Sequence, residues 1–407
     1  MSVVSEYRKR NNGKTMNTLK NQLSISKSSP QKQQATHPTR RRALKLALGA
    51  ASAAAMGPWI VRDARSSSGD LRVMMWSDYF PKDFVAGFEK ETGIKLHHIS
   101  YGSNEELLNK AKAVKGNGFD LVGPTALRAL QWEPLDILQP FDMKRVPVDR
   151  INSNMLSRSV EHWTWDGKNH HLPYFWGTEA LAWRTDGWQQ TYEKLSYGDL
   201  WLPELKGKIM GRPHSMMLGI GLYLDRIGKL PSNRMLDAYK DEESMRKIWN
   251  EIAEFAIEKK PSIKLFWNDA EAQKRGILKN GVILGQTWDG PAIALKNAGH
   301  AVNYMAPQEG ALAWLDGLSI PKGATNFDQI YAFLDYVYRP DVGGRLASET
   351  GYNSVALGSE KYLTAAASKN YHDAYPSGAL ENLWWWPPEP PWYANARNEF
   401  RDRFVAA

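Results

Sequence analysis

The fold class is decided by residues 71–99, which read LRVMMWSDYFPKDFVAGFEKETGIKLHHI. The apolar run at the start of this stretch predicts a buried strand, and so does Ile94–Ile99 at its end. Between them, Phe84 and Phe88 stand four residues apart, a spacing that places both rings on one face of a helix. A strand, a helix and a second strand in this order are typical of a parallel sheet covered by helices.

The same alternation continues outward along the chain. Residues 105–114 predict a helix, 119–123 a third strand, 172–183 a long apolar strand and 327–338 another helix. The pattern ends at about residue 355, and 407 residues exceed one ordinary hydrophobic core. We therefore expect an α/β protein with two lobes rather than one very wide sheet.

The positive charge of the chain is confined to one end. Residues 1–65 contain 13 of the 52 Lys and Arg residues and two of the 44 acids, so the remaining chain carries a net charge of −3. The overall charge of +8 would otherwise suggest nucleic acid as a partner, and this segregation removes that support. We expect no nucleic-acid binding by the folded part.

An export signal explains the basic segment. Residues 39–61, TRRRALKLALGAASAAAMGPWIV, place arginines before a modest apolar stretch and small residues, the order of a secretory signal. Thr39–Lys45 resembles a twin-arginine motif, and Leu44–Ala55 is too short to span a membrane. We expect residues 1–65 to be a disordered basic N-terminus with this signal, and the mature protein to be periplasmic. Because the chain has no cysteine, thiol catalysis and Cys-ligated zinc are excluded.

A tryptophan and an acid follow one of the predicted strands. In LGQTWDGPA, residues 284–292, the apolar run is broken by Asp289-Gly-Pro, so Trp288 and Asp289 should lie at the carboxyl end of a strand. Open α/β sheets bind their ligands at this edge. An indole face attracts cations and a carboxylate pairs with them, although a core ring beside a turn acid is the alternative.

Six stretches of the chain resemble, in order, the spermidine/putrescine-binding proteins of bacterial ABC importers. They are VMMWSDYFPKDFVAGFEKETGIKL, FDLVGPTALRALQW, LPYFWGTEALAWRTD, LGQTWDGPA, AWLDGLSIPKGA and YVYRPDVGGRLASETGYNSVAL, and together they cover about residues 71–359. The resemblance implies a two-lobe periplasmic binding protein fold with a ligand cleft between lobes that are joined by crossover strands near Tyr174–Glu179 and Leu315–Ser319. It implies one lobe of residues 71–176 and 317–353 and another of 177–316 and 354–407.

The function implied by this resemblance is that of an exported receptor. Such a receptor, a monomer without a cofactor, captures a small solute and delivers it to an inner-membrane ABC permease. The rival interpretation is an exported α/β enzyme such as a hydrolase. The chain beyond the signal contains no Gly-x-Ser-x-Gly elbow, no His-Glu-x-x-His motif and no glycine-rich phosphate loop, so we do not favour an enzyme.

The resemblance also implies a set of ligand-binding residues. They are Trp76, Ser77, Asp78 and Tyr79 at the mouth of the first lobe, Thr125 in VGPTALR, Trp176 in the crossover strand, Trp267 on the far wall, Trp288 with Asp289, and Trp314 with Asp316 near the hinge. A departure from the family pattern adds two residues. In GRPHSMMLGIG, residues 211–221, Arg212 and His214 stand where the family has carboxylates.

Arg212 decides which amine-bearing solute is expected. An arginine in the cleft opposes an ammonium group and favours a carboxylate, so it predicts a zwitterion such as a short ω-amino acid. If Arg212 points to solvent, a polyamine is the better prediction.

Two further features have structural interpretations. We expect the tryptophan-rich and proline-rich tail, residues 383–393, to pack on the second lobe, because exposed rings on that scale favour aggregation. The pairs His97-His98 and His170-His171 lie in predicted strands, where neighbouring side chains point to opposite faces. Neither pair can chelate a metal by itself, and we expect no metal site.

Overall fold

The computed structural model describes residues 69–376 and 378–407. The predicted disorder, signal and cleavage of residues 1–65 lie outside the described residues. The first sheet has three parallel strands in the order β2–β1–β3, as the opening stretch predicts. These strands are β1 (Asp70–Trp76), β2 (Lys95–Tyr101) and β3 (Leu121–Val122).

Two helices connect the strands of this sheet. Helix α1 (Lys82–Thr92) buries Phe84 and Phe88 and ends at Gly93, whose φ of 72° is the left-handed conformation that a helix C-cap requires. Helix α2 (Asn104–Ala113) begins at Ser103, whose side chain accepts a hydrogen bond from the backbone N–H of Glu106. The later helices are α3 (Ala129–Trp132), α4 (Ser153–Trp163), α5 (Pro213–Arg226), α6 (Glu242–Lys259), α7 (Ala270–Lys279), α8 (Asp289–Asn297), α9 (Phe327–Val337), α10 (Pro340–Thr350), α11 (Ala365–Ala374) and α12 (Pro391–Ala406).

A mixed sheet is built around one long strand. Its strands are β7 (Leu172–Arg184), β8 (Ile209–Gly211), β9 (Ile263–Phe266), β10 (Leu284–Trp288), β11 (Val302–Met305), β12 (Leu312–Leu318), β14 (Asn353–Ser354) and β15 (Trp384–Trp385). The two-stranded pairs β4 (Leu138–Gln139) with β13 (Ile320–Pro321), and β5 (Thr164–Trp165) with β6 (Lys168–Asn169), lie outside it. Strand β7 pairs with β12 over residues 172–179 and with β10 and β11 over 179–184. Its first part and its last part therefore have different partner strands.

The hydrophobic core divides in the same way. One cluster of buried side chains draws on residues 71–176 and 315–355, which we call the first lobe. Two other clusters draw on residues 180–312 and 374–404, which we call the second lobe. We propose the boundaries 71–176 with 317–353 and 177–316 with 354–407 on this basis, with β7 and β12 as crossover strands. Leu315 packs in the first-lobe cluster and Asp316 bonds to Tyr79, so we count these two residues with the first lobe. Residues 355–357 nevertheless bond to the first lobe, through the backbones of Arg150 and Asn152.

The C-terminal tail connects both lobes. Trp384 and Tyr393 belong to the core of the second lobe, where the tail was expected to pack. Glu389, in contrast, donates its backbone N–H to the carbonyl of Leu127 in the first lobe, at 2.9 Å. Over the residues that the structure describes, no helix has the length and apolar character needed to cross a bilayer.

Candidate ligand-binding cleft

A cavity of about 630 Å³, counted with its open mouth, lies between the two lobes. Nine of the predicted site residues line it: Trp76, Asp78, Tyr79, Thr125, Arg212, His214, Trp288, Trp314 and Asp316. The other lining residues were not predicted: Asn104, Leu127, Arg128, Glu179, Ser215, Tyr352, Trp386, Glu389 and Arg397. The cavity is therefore lined by both lobes and by the C-terminal tail.

Two carboxyl groups with phenol partners form the first-lobe wall. The hydroxyl of Tyr79 donates to Asp316 Oδ2 at 2.5 Å, and that of Tyr352 donates to Asp78 Oδ2 at 2.7 Å. Tyr79 follows β1 directly, and Asp316 lies in β12, bridged to the backbone of Thr125. The end of the first sheet and the crossover strand thus bring both acids to one wall.

Asp316 ionises less readily than an ordinary aspartate. Its side chain is buried, and burial raises its pKa to about 7, with the nearby carboxyl of Asp78 acting in the same direction. Its Oδ1 makes no hydrogen bond of normal geometry, although Trp76 and Thr125 lie near it. No ion pair within 4.0 Å involves Asp316 or Asp78 among the described residues. A cation is the natural missing partner for this wall.

The second-lobe wall has charges of both signs. Burial raises the pKa of Glu179 to about 7, and its Oε1 accepts a hydrogen bond from Gln286 Nε2 at 3.2 Å. The Arg212 guanidinium lies over the Trp288 ring, 5.4 Å from its centroid, so it enters the cleft rather than pointing to solvent. Burial, followed by the charge of Arg212, holds the pKa of His214 well below its ordinary value. His214 is therefore neutral at pH 7.

Four tryptophans complete the lining: Trp76, Trp288, Trp314 and Trp386. Trp314 packs over Gly177, where a Cβ would come within 2.4 Å of the ring, so glycine is required for this contact. The rings of Trp76 and Trp288 meet edge to face at 6.1 Å. Because Arg212 already covers Trp288, the other cavity indoles, those of Trp76, Trp314 and Trp386, are the ones left for a bound cation.

A closed ring of four charges lies at the tail side of the cavity. Arg128 contacts Glu105 at 2.8 Å and Glu389 at 3.1 Å, and Arg397 contacts the same two acids at 3.1 and 2.8 Å. Burial opposes ionisation of Glu105, but the two arginines lower its pKa to about 2. Glu105 and Arg128 belong to the first lobe, whereas Glu389 and Arg397 belong to the tail. These charges satisfy one another.

Four predicted residues lie outside the cavity. Ser77 is exposed on the turn after β1, and Trp176 faces the opposite side of β7, where it packs on Trp385 and Tyr375. Trp267 is fully buried behind Trp288, and its indole N–H donates to the Gln286 carbonyl at 2.8 Å.

Asp289 is the fourth predicted residue outside the cavity lining. It does follow the end of β10, as predicted, but its side chain is fully buried in the hinge and does not line the cavity. There its carboxyl accepts hydrogen bonds from the Tyr375 hydroxyl at 2.9 Å and from Asn353 Nδ2 at 3.2 Å. Burial raises its pKa to about 7. Its position at a strand end was predictable from the sequence, whereas the direction of its side chain was not.

Some of the missed residues had a signal in the sequence. Side chains two apart on a strand face the same side, so Gly177 and Glu179 share the cleft face of β7 and Trp176 does not. Tyr352 stands in the SETGYNSVAL stretch that carries the family resemblance. The tail residues Trp386, Glu389 and Arg397 had no comparable signal.

The histidine pairs do not form a metal site in the described residues. His171 bonds to Ser159 and to the carbonyl of Pro124, and His97 lies 3.3 Å from Asp70. Within residues 69–376 and 378–407, no three His, Asp or Glu side chains are grouped to hold an ion.

Comparison with known proteins agrees with this geometry. Residues 83–374 match the family described as bacterial extracellular solute-binding proteins. The chain is 26% identical over 303 residues to the spermidine/putrescine-binding periplasmic protein of Escherichia coli K12, covering 74% of this chain and 82% of that protein. The substrate-binding protein PotD of a Streptococcus pneumoniae spermidine/putrescine ABC transporter superposes with a TM-score of 0.65 at 23% identity, covering 83% and 99% of the two chains. The Atu4243 GABA receptor superposes with a TM-score of 0.60 at 19% identity, covering 83% and 97%.

These matches decide between the two functional interpretations. The two structural likenesses confirm the two-lobe α/β binding-protein fold. The family match covers most of the chain, and it is a match to transport proteins that bind a solute, not to hydrolases. The chain therefore belongs to the bacterial extracellular solute-binding proteins, and it is a receptor that binds a small solute for an ABC importer rather than an enzyme.

Proposed function

We propose that this receptor works in the periplasm and captures a small solute that carries an amine. The observation that carries the proposal is the set of carboxyls in the cavity wall, Asp78, Glu179 and Asp316, which have no basic partner within 4.0 Å among the described residues. A buried carboxylate is costly unless a cation pairs with it, and a bound ammonium group supplies that cation. The Escherichia coli relative is named for two such amines, spermidine and putrescine.

Asp316 is the residue we propose to hold the ammonium group. Its carboxyl lines the cavity, and the indoles of Trp76 and Trp314 line it as well, so each indole can add cation–π attraction worth about 0.5–2 kcal/mol for each contact. Of the sequence-predicted set, we propose that the nine residues lining the cavity contact the solute. Asp289 is replaced in this role by Asp316.

Arg212 favours a solute that also carries an acidic group. A second ammonium placed about 4 Å from the guanidinium would be repelled by about 4 kcal/mol at an effective dielectric of 20, whereas a carboxylate would be attracted. We therefore propose an amino acid in preference to a polyamine such as spermidine. The GABA receptor with the same fold is named for a ligand of this kind.

Delivery of the solute to the permease depends on closure of the two lobes around it. A solute that contacts both walls stabilises the closed form by the difference between its affinities for the closed and open forms. The permease then recognises the closed receptor, which we propose to be a monomer without affinity for nucleic acid.

A binding screen tests the proposed function. We expect amine-bearing solutes at about 100 times their Kd to raise the free energy of unfolding by about 2.7 kcal/mol, measured as a thermal shift. The screen compares putrescine, spermidine, ω-amino acids, betaines and simple sugars. A shift with sugars or betaines alone would contradict the assignment of an amine.

Export has a separate test. We propose that the arginines of residues 40–42 direct the chain to the twin-arginine pathway, so their replacement by lysine should leave the precursor in the cytoplasm. Normal export of that variant, measured by cell fractionation, would exclude this pathway without excluding secretion.

A further inference from the structure

Glu179 and Arg212 lie beside the same indole. Glu179 and Trp288 are directly opposite each other on the antiparallel strands β7 and β10, so their side chains share one face of the sheet. The guanidinium of Arg212 lies over that indole from the start of α5. Strand register and helix position therefore bring an acid and a base to one corner of the cavity.

Neither group is used by the fold as an ion pair. No carboxylate lies within 4.0 Å of Arg212, and no Lys, Arg or His nitrogen lies within that distance of Glu179, among the described residues. Glu179 is only 2% exposed, and its hydrogen bond to Gln286 is to a neutral amide. Ser215, in the first turn of α5, is also buried, and it lines the cavity next to them.

The charged groups of the cavity limit which solutes can pair with every one of them. The ring of Glu105, Arg128, Glu389 and Arg397 is closed on itself. Outside that ring, the first-lobe wall offers Asp316 and Asp78, and the corner offers Glu179 and Arg212. A diamine leaves Arg212 without an anion. A simple ω-amino acid leaves Glu179 with no charged partner except Arg212, which then also has to hold the carboxylate of the solute.

We propose that Glu179 and Arg212 form a subsite for an α-amino acid head group, and that the preferred solutes are diamino acids. In this arrangement Arg212 binds the α-carboxylate, Glu179 binds the α-ammonium, and Asp316 binds the ammonium at the other end. The positive end of the α5 dipole supports the carboxylate. This inference rests on the proposed function, because it requires an amine at Asp316.

Three matched solutes test the inference on the unmodified protein. Ornithine carries all three groups, putrescine is ornithine without the carboxylate, and 5-aminopentanoate is ornithine without the α-amine. We expect titration calorimetry to show ornithine binding at least tenfold more tightly than either of the others. If putrescine or 5-aminopentanoate binds as tightly as ornithine, the head-group subsite is wrong and the amine receptor stands. If none of the three binds, the head-group subsite is wrong, and the wider screen with other amines decides the proposed function.

Two substitutions test whether Arg212 and Glu179 cause the preference for ornithine. Arg212→Met should abolish the preference for ornithine over putrescine, and Glu179→Gln should abolish its preference over 5-aminopentanoate. Arg158→Met is the matched control, because Arg158 also lies over an indole, that of Trp385 at 4.1 Å, but outside the cavity. We expect that control to keep both preferences. Retention of both preferences in the Arg212 and Glu179 variants would overturn the inference.

Discussion

Two groups of charges lie at the same cavity and have different partners. At the tail side, two arginines and two glutamates form a closed ring that also joins the first lobe to the tail. On the walls, Asp78, Asp316 and Glu179 have only neutral hydrogen-bond partners among the described residues. The charges of the ring are paired within the protein, whereas we propose that the wall acids pair with a cationic solute.

Whether a buried charge has a charged partner distinguishes residues that hold the fold together from residues of the binding site. Residue type does not distinguish them, because both groups contain acids. A buried ion pair with both partners present is tolerated, and removing one partner leaves a buried charge. A buried carboxyl with neutral partners instead shifts its pKa and takes up a proton. Substitutions in the ring should therefore reduce stability, and substitutions on the walls should reduce affinity.

The largest expected effect comes from breaking the ring at its most buried acid. Glu389→Ala leaves Arg128 and Arg397 without their fully buried partner and should lower the free energy of unfolding by about 3–5 kcal/mol. Chemical denaturation measures the loss. Glu105→Ala is the matched control, because that side chain is 42% exposed and its removal should cost only about 1 kcal/mol. Equal losses in the two variants would contradict the distinction between buried and exposed members.

The next effect concerns affinity. Asp316→Asn keeps the shape of the side chain but removes the charge that pairs with the ammonium group, so we expect affinity to fall about 100-fold, or about 2.7 kcal/mol. Calorimetry with the tightest amine found in the screen measures it. Asp120→Asn is the control, because Asp120 is also a buried first-lobe acid but lies outside the cavity, bonded to Arg72 N and Asn326. An affinity unchanged by Asp316→Asn would remove Asp316 from the site.

The pH dependence should separate affinity from stability. Because burial raises the pKa of Asp316 and Glu179 to about 7, an amine must displace a proton from the wall below that pH. We expect affinity to fall by up to about tenfold for each pH unit below 7 for each of these acids that pairs with the solute, and protons to be released on binding. Calorimetry in buffers of different ionisation heat measures both. A flat affinity between pH 5.5 and 8 would show that the wall acids are already ionised.

The stability of the free protein should change in the opposite direction. Between about pH 4 and 7 the folded protein keeps protons that the unfolded chain has released, so these carboxyls stabilise the fold at low pH. Their contribution is fully present below about pH 4 and is lost as the pH rises through 7. The melting temperature of the free protein should accordingly fall from pH 5 to pH 8.

Sequence patterns predicted the elements better than the directions of side chains. The parallel sheet, the long apolar strand β7 and the helix spacing follow from apolar periodicity, and the structure confirms them. Helix α12 was missed because PPEPPWYANARNEF begins with prolines and mixes polar and aromatic residues without a clear apolar stripe. The tail therefore could not be assigned to the cavity, since its contact with Arg128 joins residues far apart in the chain.

The directions of side chains also explain which site residues were predicted and which were not. A strand end predicted that Trp288 and Asp289 lie at the cleft edge, but the indole and the acid turn in different directions there. The hinge polar groups that attract Asp289 come from Asn353 and Tyr375, more than 60 residues away. Glu179 was within reach of sequence reasoning, because its alternation with Trp176 on β7 settles which of the two faces the cavity.

The smallest expected effect on affinity is at Asp289. Asp289→Asn should change the affinity for the amine by less than about twofold, because this carboxyl bonds to Tyr375 and Asn353 and does not line the cavity. An asparagine oxygen keeps one acceptor in the hinge, so the cost in stability should be about 0.5–1.5 kcal/mol, the usual value for one hydrogen bond. Titration and denaturation of this variant beside Asp316→Asn make the comparison direct, since both acids are buried and both have a pKa of about 7. If Asp289→Asn weakens binding as strongly as Asp316→Asn, Asp289 takes part in solute recognition from its place in the hinge. Lining the cavity would then not be the property that distinguishes Asp316 from Asp289.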